Sequence, residues 1–149
     1  MKDLILPFII VPLFFLVISC AAPGPLILKS HNEHYSRFSE DKGYVYFYRE
    51  TRLWQCARGL YIFADGKKIG GLNIGTYFVF EVEPGIHEFY AGDWMRKEKI
   101  LKLDIQPSKK YFIKGDFRLG IMDVVPYIEQ VETNIGTQEI ESLTYATRE

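Results

Sequence analysis

From Tyr44 onward, apolar and aromatic residues fall into short runs separated by turn residues; before it lie one long apolar run and one polar stretch. Tyr44–Glu50 is β-branched and aromatic, and Arg58–Ala64 and Lys67–Leu72 flank Asp65-Gly66. Asp-Gly between two such runs predicts a two-residue type I′ hairpin, whose central residues both need positive φ. Tyr77–Val82 follows Asn73–Thr76, and Glu83-Pro84-Gly85 turns it into Ile86–Ala91. Lys99–Ile105 alternates, with Leu101, Leu103 and Ile105 on one face and Lys102 and Asp104 on the other. Pro107-Ser108 turns into Lys110–Gly115, and Ile121–Val131 is a last, longer run. From Asn134 to about Tyr145 the pattern predicts a short helix, capped by Asn134 or Thr137, with Ile140 and Leu143 facing inward.

Seven or eight short strands at this spacing predict an all-β protein, a single antiparallel β-sandwich or a barrel, closed by a short C-terminal helix. No βαβ unit and no nucleotide-binding glycine loop appears in the sequence. Gly70-Gly71 lies inside a strand run and reads as a bulge rather than a phosphate cradle.

The long apolar run, Leu4–Ile18, is interrupted only by Pro7 and Pro12 and follows Lys2. It is shorter than the roughly 20 residues that cross a bilayer and fits the apolar region of an export signal. It ends in Val17-Ile18-Ser19-Cys20, which resembles the lipobox of bacterial lipoprotein signal peptides. That resemblance implies removal of residues 1–19 and lipidation of Cys20, leaving the membrane as a partner through the lipid. In many Gram-negative bacteria an Asp after the lipidated Cys retains the protein in the inner membrane. Ala21 stands there instead, which points to the outer membrane, facing the periplasm. An ordinary secretory signal and a plain membrane anchor are the competing readings. Cysteine usage favours lipidation, because a lipidated Cys20 leaves Cys56 with no disulfide partner. Residues 20–43, with Pro23-Gly24-Pro25, read as a tether, and residues 44–149 as the domain it carries.

Lys2 and Asp3 cancel, so the chain without residues 1–19 keeps the net charge of −1. That balance gives no basic footprint for nucleic acid and no polybasic surface for anionic lipid. Roughly 130 residues fit one domain that folds without metal or disulfide. Ten Tyr and eleven Phe, mostly in the β-like runs, predict an aromatic core.

Tyr44–Arg49, the Asp65-Gly-Lys-Lys-Ile-Gly70 hairpin and the Tyr77–His87 segment with its Glu83-Pro84-Gly85 turn together resemble the DUF2846 family. These are small, mostly lipoprotein-borne domains of unassigned function, related to the PEGA-type sandwiches of bacterial surface proteins. The resemblance runs from about Tyr44 to Gly115. It implies a transthyretin-like or immunoglobulin-like sandwich and an accessory or binding role, and it supplies no catalytic residues. Thr51–Ala57, with Trp54 and Cys56, departs from the family pattern.

Strand parity locates a candidate site. If consecutive strands alternate in direction, the tight turns at Asp65-Gly66, Pro84-Gly85 and Pro107-Ser108 share one end. Connections 51–57, 73–76, 92–98 and 116–120 then share the other, which collects Arg52, Trp54, Trp94, Arg96, Phe117 and Arg118 with no acidic cluster nearby. The tether enters at the tight-turn end, so this end points away from the membrane. Loops on a rigid sandwich commonly carry binding residues, and Trp and Arg dominate interface hot spots. The alternative is that Trp54 and Trp94 fold back to plug the core.

Two functional classes follow. One is a non-enzymatic adaptor for an envelope protein; the other is a glycan-binding module in which Trp54 and Trp94 stack on sugar rings. Catalysis by Cys56 with His87 as base is disfavoured, because parity puts them at opposite ends and a dyad needs hydrogen-bond reach. His31 and His34 have an H-x-x-H spacing without a third ligand, and no cofactor is expected.

Overall fold

The computed structural model describes residues 28–29, 39–52, 58–93, 96–97, 99–120 and 124–146. Eleven strands and one helix follow in the order β1 (Leu28–Lys29), β2 (Gly43–Arg49), β3 (Leu60–Ala64), β4 (Lys67–Leu72), β5 (Thr76–Val82), β6 (Gly85–Asp93), β7 (Arg96–Lys97), β8 (Leu101–Ile105), β9 (Lys110–Leu119), β10 (Val124–Val131), α1 (Thr133–Ile140) and β11 (Thr144–Ala146). They form two packed sheets and a short helix near the C-terminus, an all-β sandwich. One sheet has the order β1-β11-β5-β2-β9-β10; in the other, β4-β3-β6 is continued by β7 and β8, both paired to β6. No helix among the described residues is long and apolar enough to cross a membrane.

Most pairings are antiparallel, but β2 runs parallel to β9, and β11 runs parallel to β5. The first follows from alternation. β2 and β9 are the first and seventh of the long strands, so both run the same way and meet as parallel neighbours once the sandwich closes. The Asp65-Gly66 turn has φ of 48° and 81°, the positive pair a type I′ turn requires. Beside it the β3–β4 register slips between Ile62 and Phe63, where Ile62 pairs Gly70 and Phe63 pairs Lys68. That is the bulge the double glycine predicts.

β2 is buried on both faces. Its inner face, Val45 and Phe47, enters the core between the sheets with Leu60, Ile62, Phe78 and Phe89. Phe47 stacks on Phe78 at 5.3 Å. Its outer face, Tyr44, Tyr46 and Tyr48, forms a second core with Tyr77, Phe112, Ile140, Leu143 and Tyr145, and Tyr46 stacks on Phe112 at 4.8 Å. Each fully buried ring adds on the order of 2–3 kcal/mol of apolar burial.

Two features of the C-terminal region differ from the sequence expectation. The helix ends at Ile140, not near Tyr145, because Thr144 and Tyr145 pair with Thr76 and Tyr77 and extend the sheet. Neither Asn134 nor Thr137 caps it; Glu132 occupies the N-cap without a side-chain cap bond, and the Thr137 hydroxyl donates to the Thr133 carbonyl. Ile140 and Leu143 do face inward.

Within the stretch read as a tether, Leu28 and Lys29 pair with Ala146 and Tyr145 at the sheet edge. Ser39–Lys42 are also bonded to the domain: the Tyr44 hydroxyl donates to the Ser39 carbonyl, and Ser108 donates through N to Lys42 and through Oγ to Glu40. The folded unit therefore reaches back beyond Tyr44.

Candidate functional site

Hydrogen bonds identify the two ends of the sandwich. At the tight-turn end, His87 Nδ1 lies 2.7 Å from Asp65 Oδ2 and its Nε2 lies 2.9 Å from the Glu83 carbonyl, tying two turns together. Lys42 reaches Glu83 at 3.2 Å, and the Glu88 N–H donates to Asp65 Oδ1 at 3.0 Å. That backbone bond first, and then His87, hold the Asp65 carboxyl below its ordinary value. At the opposite end, the Gly75 N–H donates to the Arg49 carbonyl, and Arg49 Nη1 donates to the Arg58 carbonyl at 2.7 Å.

Arg49 closes the core at that second end. It follows six residues of buried strand and is itself 1% exposed. Its guanidinium lies 4.9 Å from the centre of the Phe117 ring, and its Nε lies 3.8 Å from Asp116 Oδ1. Asp116 Oδ1 also accepts the Phe117 N–H at 2.7 Å, and Oδ2 lies 3.8 Å from Arg52. The Arg52 guanidinium turns back to Glu50 at 3.2 Å.

The same Glu50 oxygen meets Lys114 at 2.7 Å, and Lys114 also reaches both Glu139 oxygens at 3.1 and 3.2 Å. Glu139 accepts the Tyr48 hydroxyl at 2.5 Å, which fastens α1 to the outer face of β2. Hydrogen bonding from Lys114 is the main reason the Glu50 carboxyl is held below its ordinary value. Burial opposes the Lys114 ammonium, but its two carboxylate partners together outweigh burial and raise its pKa. Burial first, and then Glu139, push the Tyr48 hydroxyl upward. Cation and anion thus alternate from Arg49 to Glu139 across β2, the segment just after it, β9 and the helix.

Several expected site residues sit differently from the sequence picture. Arg52 is half exposed at this end, and Glu50 and Asp116 both contact it, so two acids stand beside the cations where no acidic cluster was expected. The reason is that β9 does not stop at Gly115. It runs to Leu119 and carries Asp116 into the protein, so Phe117 and Arg118 are strand residues rather than loop residues. Phe117 packs against the inner core, while Arg118 is exposed, 5.9 Å from the centre of the Tyr127 ring. Arg96 lies in β7, where its backbone pairs with Asp93. Trp54, Trp94, Cys20, Cys56, His31 and His34 lie outside the described residues.

Arg49, Glu50, Lys114, Asp116 and Glu139 were not singled out from the sequence. The one signal available was an arginine ending a run of six strand-forming residues, where a cation needs a counter-charge supplied from elsewhere. Among the described residues no group of three or more His, Cys, Asp or Glu is arranged to hold a metal ion.

No curated protein matches the chain. A family model described as a protein of unknown function, DUF2846, matches residues 39–126. The match begins at Ser39, where the Tyr44 hydroxyl ties the chain to the domain, and ends within β10, so α1 and β11 lie beyond it. It includes β2, β9 and the Arg49–Asp116 pair, the frame on which this end of the sandwich is built. With more than half of its length matched, the chain belongs to the DUF2846 family.

Proposed function

We propose that this protein is a lipid-anchored, non-enzymatic adaptor of the bacterial cell envelope. In this reading Cys20 carries the lipid, the anchor sits in the outer membrane facing the periplasm, and the end carrying Arg52, Trp54, Trp94, Arg96 and Arg118 binds an envelope protein. The main support is that half-exposed Arg52 and exposed Arg118 present cationic side chains at the end away from the tight turns. The stretch after Cys20 touches both ends, with residues 39–43 bonded beside the turns and Leu28–Lys29 paired to β11 at the level of Tyr77.

Two experiments test it. Cys20→Ala should abolish lipid labelling and move the protein out of the detergent phase; a variant that stays there refutes the lipid anchor. A photo-crosslinker at position 118 should capture an envelope protein in intact cells, and one at position 66 should not. Adducts from position 66 alone would place the binding end wrongly. A glycan-binding module instead predicts co-sedimentation with peptidoglycan sacculi that is lost on Trp54→Ala plus Trp94→Ala.

A further inference from the structure

β9 outruns the strand beside it. Its pairing with β2 stops at Lys114, whereas its pairing with β10 continues until Leu119 meets Val124. Residues 115–119 and 124–128 therefore form a two-stranded ribbon that overhangs the end of the sandwich. Alternation along the ribbon puts Phe117 and Leu119 on the face that continues the core, and Asp116 and Arg118 on the other. Phe117 is still packed against the core and lies under the Arg49 guanidinium. Leu119, one step farther out, is 90% exposed.

A single bare leucine is ordinary on a protein surface. Its neighbours give this one a direction. The acids at this end are sunk, with the Asp116 side chain 6% exposed and that of Glu50 29%. The cations face out: the Arg52 side chain is 52% exposed, and Arg58 and Arg118 are exposed as well. The Arg118 guanidinium lies 5.9 Å from the centre of the Tyr127 ring across the ribbon, at the outer edge of cation–π range.

We propose that the projecting end of β9, with Arg52 beside it, is a docking site for an acidic segment of a protein partner, which seats an apolar side chain on Leu119 and carboxylates on Arg118 and Arg52. This rests on the reading that this end of the sandwich is the binding end. Planar guanidinium groups pair with carboxylates through two parallel hydrogen bonds, which suits aspartate and glutamate side chains. The apolar step from Phe117 to Leu119 lets the partner extend the existing core by one residue.

The test uses the full-length protein in neutral detergent micelles and fluorescein-labelled peptides read by anisotropy. An alternating Glu-Leu decapeptide should bind, and an alternating Lys-Leu decapeptide should not. Arg118→Ala and Leu119→Ser should each weaken the Glu-Leu peptide about ten-fold. Lys109→Ala, beside the tight turns, should leave it unchanged. Equal binding of oligoglutamate would remove the apolar contact from the proposal. Binding to phosphatidylglycerol vesicles that outcompetes the peptide would make the surface a lipid site instead. Indifference to both ribbon substitutions, or no binding at millimolar peptide, overturns it. If the peptide fails while position 118 still cross-links to a protein, only the acidic-segment proposal falls; if neither occurs, the assignment of the binding end falls with it.

Discussion

Arg49 and Asp116 face each other at 3.8 Å inside the protein, one at the end of β2 and the other in the overhanging part of β9. The side chains are 1% and 6% exposed, so each is the other's defence against an uncompensated buried charge. Asp116→Asn should therefore destabilise the fold by about 3–5 kcal/mol, the usual cost of breaking a buried pair from one side. Urea denaturation measures it. Asn keeps the shape and changes the charge, so a loss below 1 kcal/mol would mean that the charge pairing contributes little.

Gly136 of α1 lies against the Phe112 ring with no room for a Cβ between them. In an exposed helix, Gly→Ala would stabilise by about 1 kcal/mol. Here Gly136→Ala must push the helix off the sheet and should destabilise by about 1–3 kcal/mol. A rise in melting temperature would contradict the seating of α1.

Lys114 holds Glu50 and Glu139 together. Lys114→Met leaves two carboxylates facing a part-buried site and should cost about 1–3 kcal/mol. Adding Glu139→Gln should recover part of that loss, because the double variant removes one of the stranded charges. A double-mutant cycle with no coupling would count against the network.

The acid limit of stability follows from Glu50 and Asp65. Both carboxyls are held below their ordinary values of 4.5 and 3.8, so each binds its proton more weakly in the folded state than in the unfolded one. The stability they add is fully present above those ordinary values and is lost as the pH falls through the lowered folded ones. Glu50→Gln should flatten the fall in melting temperature below about pH 4.5 while leaving the slope between pH 6 and 8 unchanged. An unchanged acid slope would refute the coupling to Lys114.

The hairpin at Asp65-Gly66 and the alternation of Lys99–Ile105 were legible because a tight turn and a half-buried strand each leave a local signature. β2 was legible as a strand but not as a central one. Every position from Tyr44 to Tyr48 is β-branched or aromatic, so no polar face marks the side that α1 would cover. β11 was hidden because three residues are too few to show a period, and only their pairing with β5 makes them a strand. At the candidate site, Arg52 and Arg118 could be assigned to one end by parity. Glu50 and Asp116 were missed as their neighbours because a charged residue within a few positions of a strand end carries no local sign of burial.

The parallel placement of β2 beside β9 also has a meaning in time. β2 is the first long strand to be made, yet its partners β5 and β9 end only at Val82 and Leu119. A growing chain must therefore carry the segment from Tyr44 to Tyr48 without its first neighbour until Val82 is made, and without its second until Leu119. Such a topology folds late and all at once, and its slow step is the long-range closure of β2.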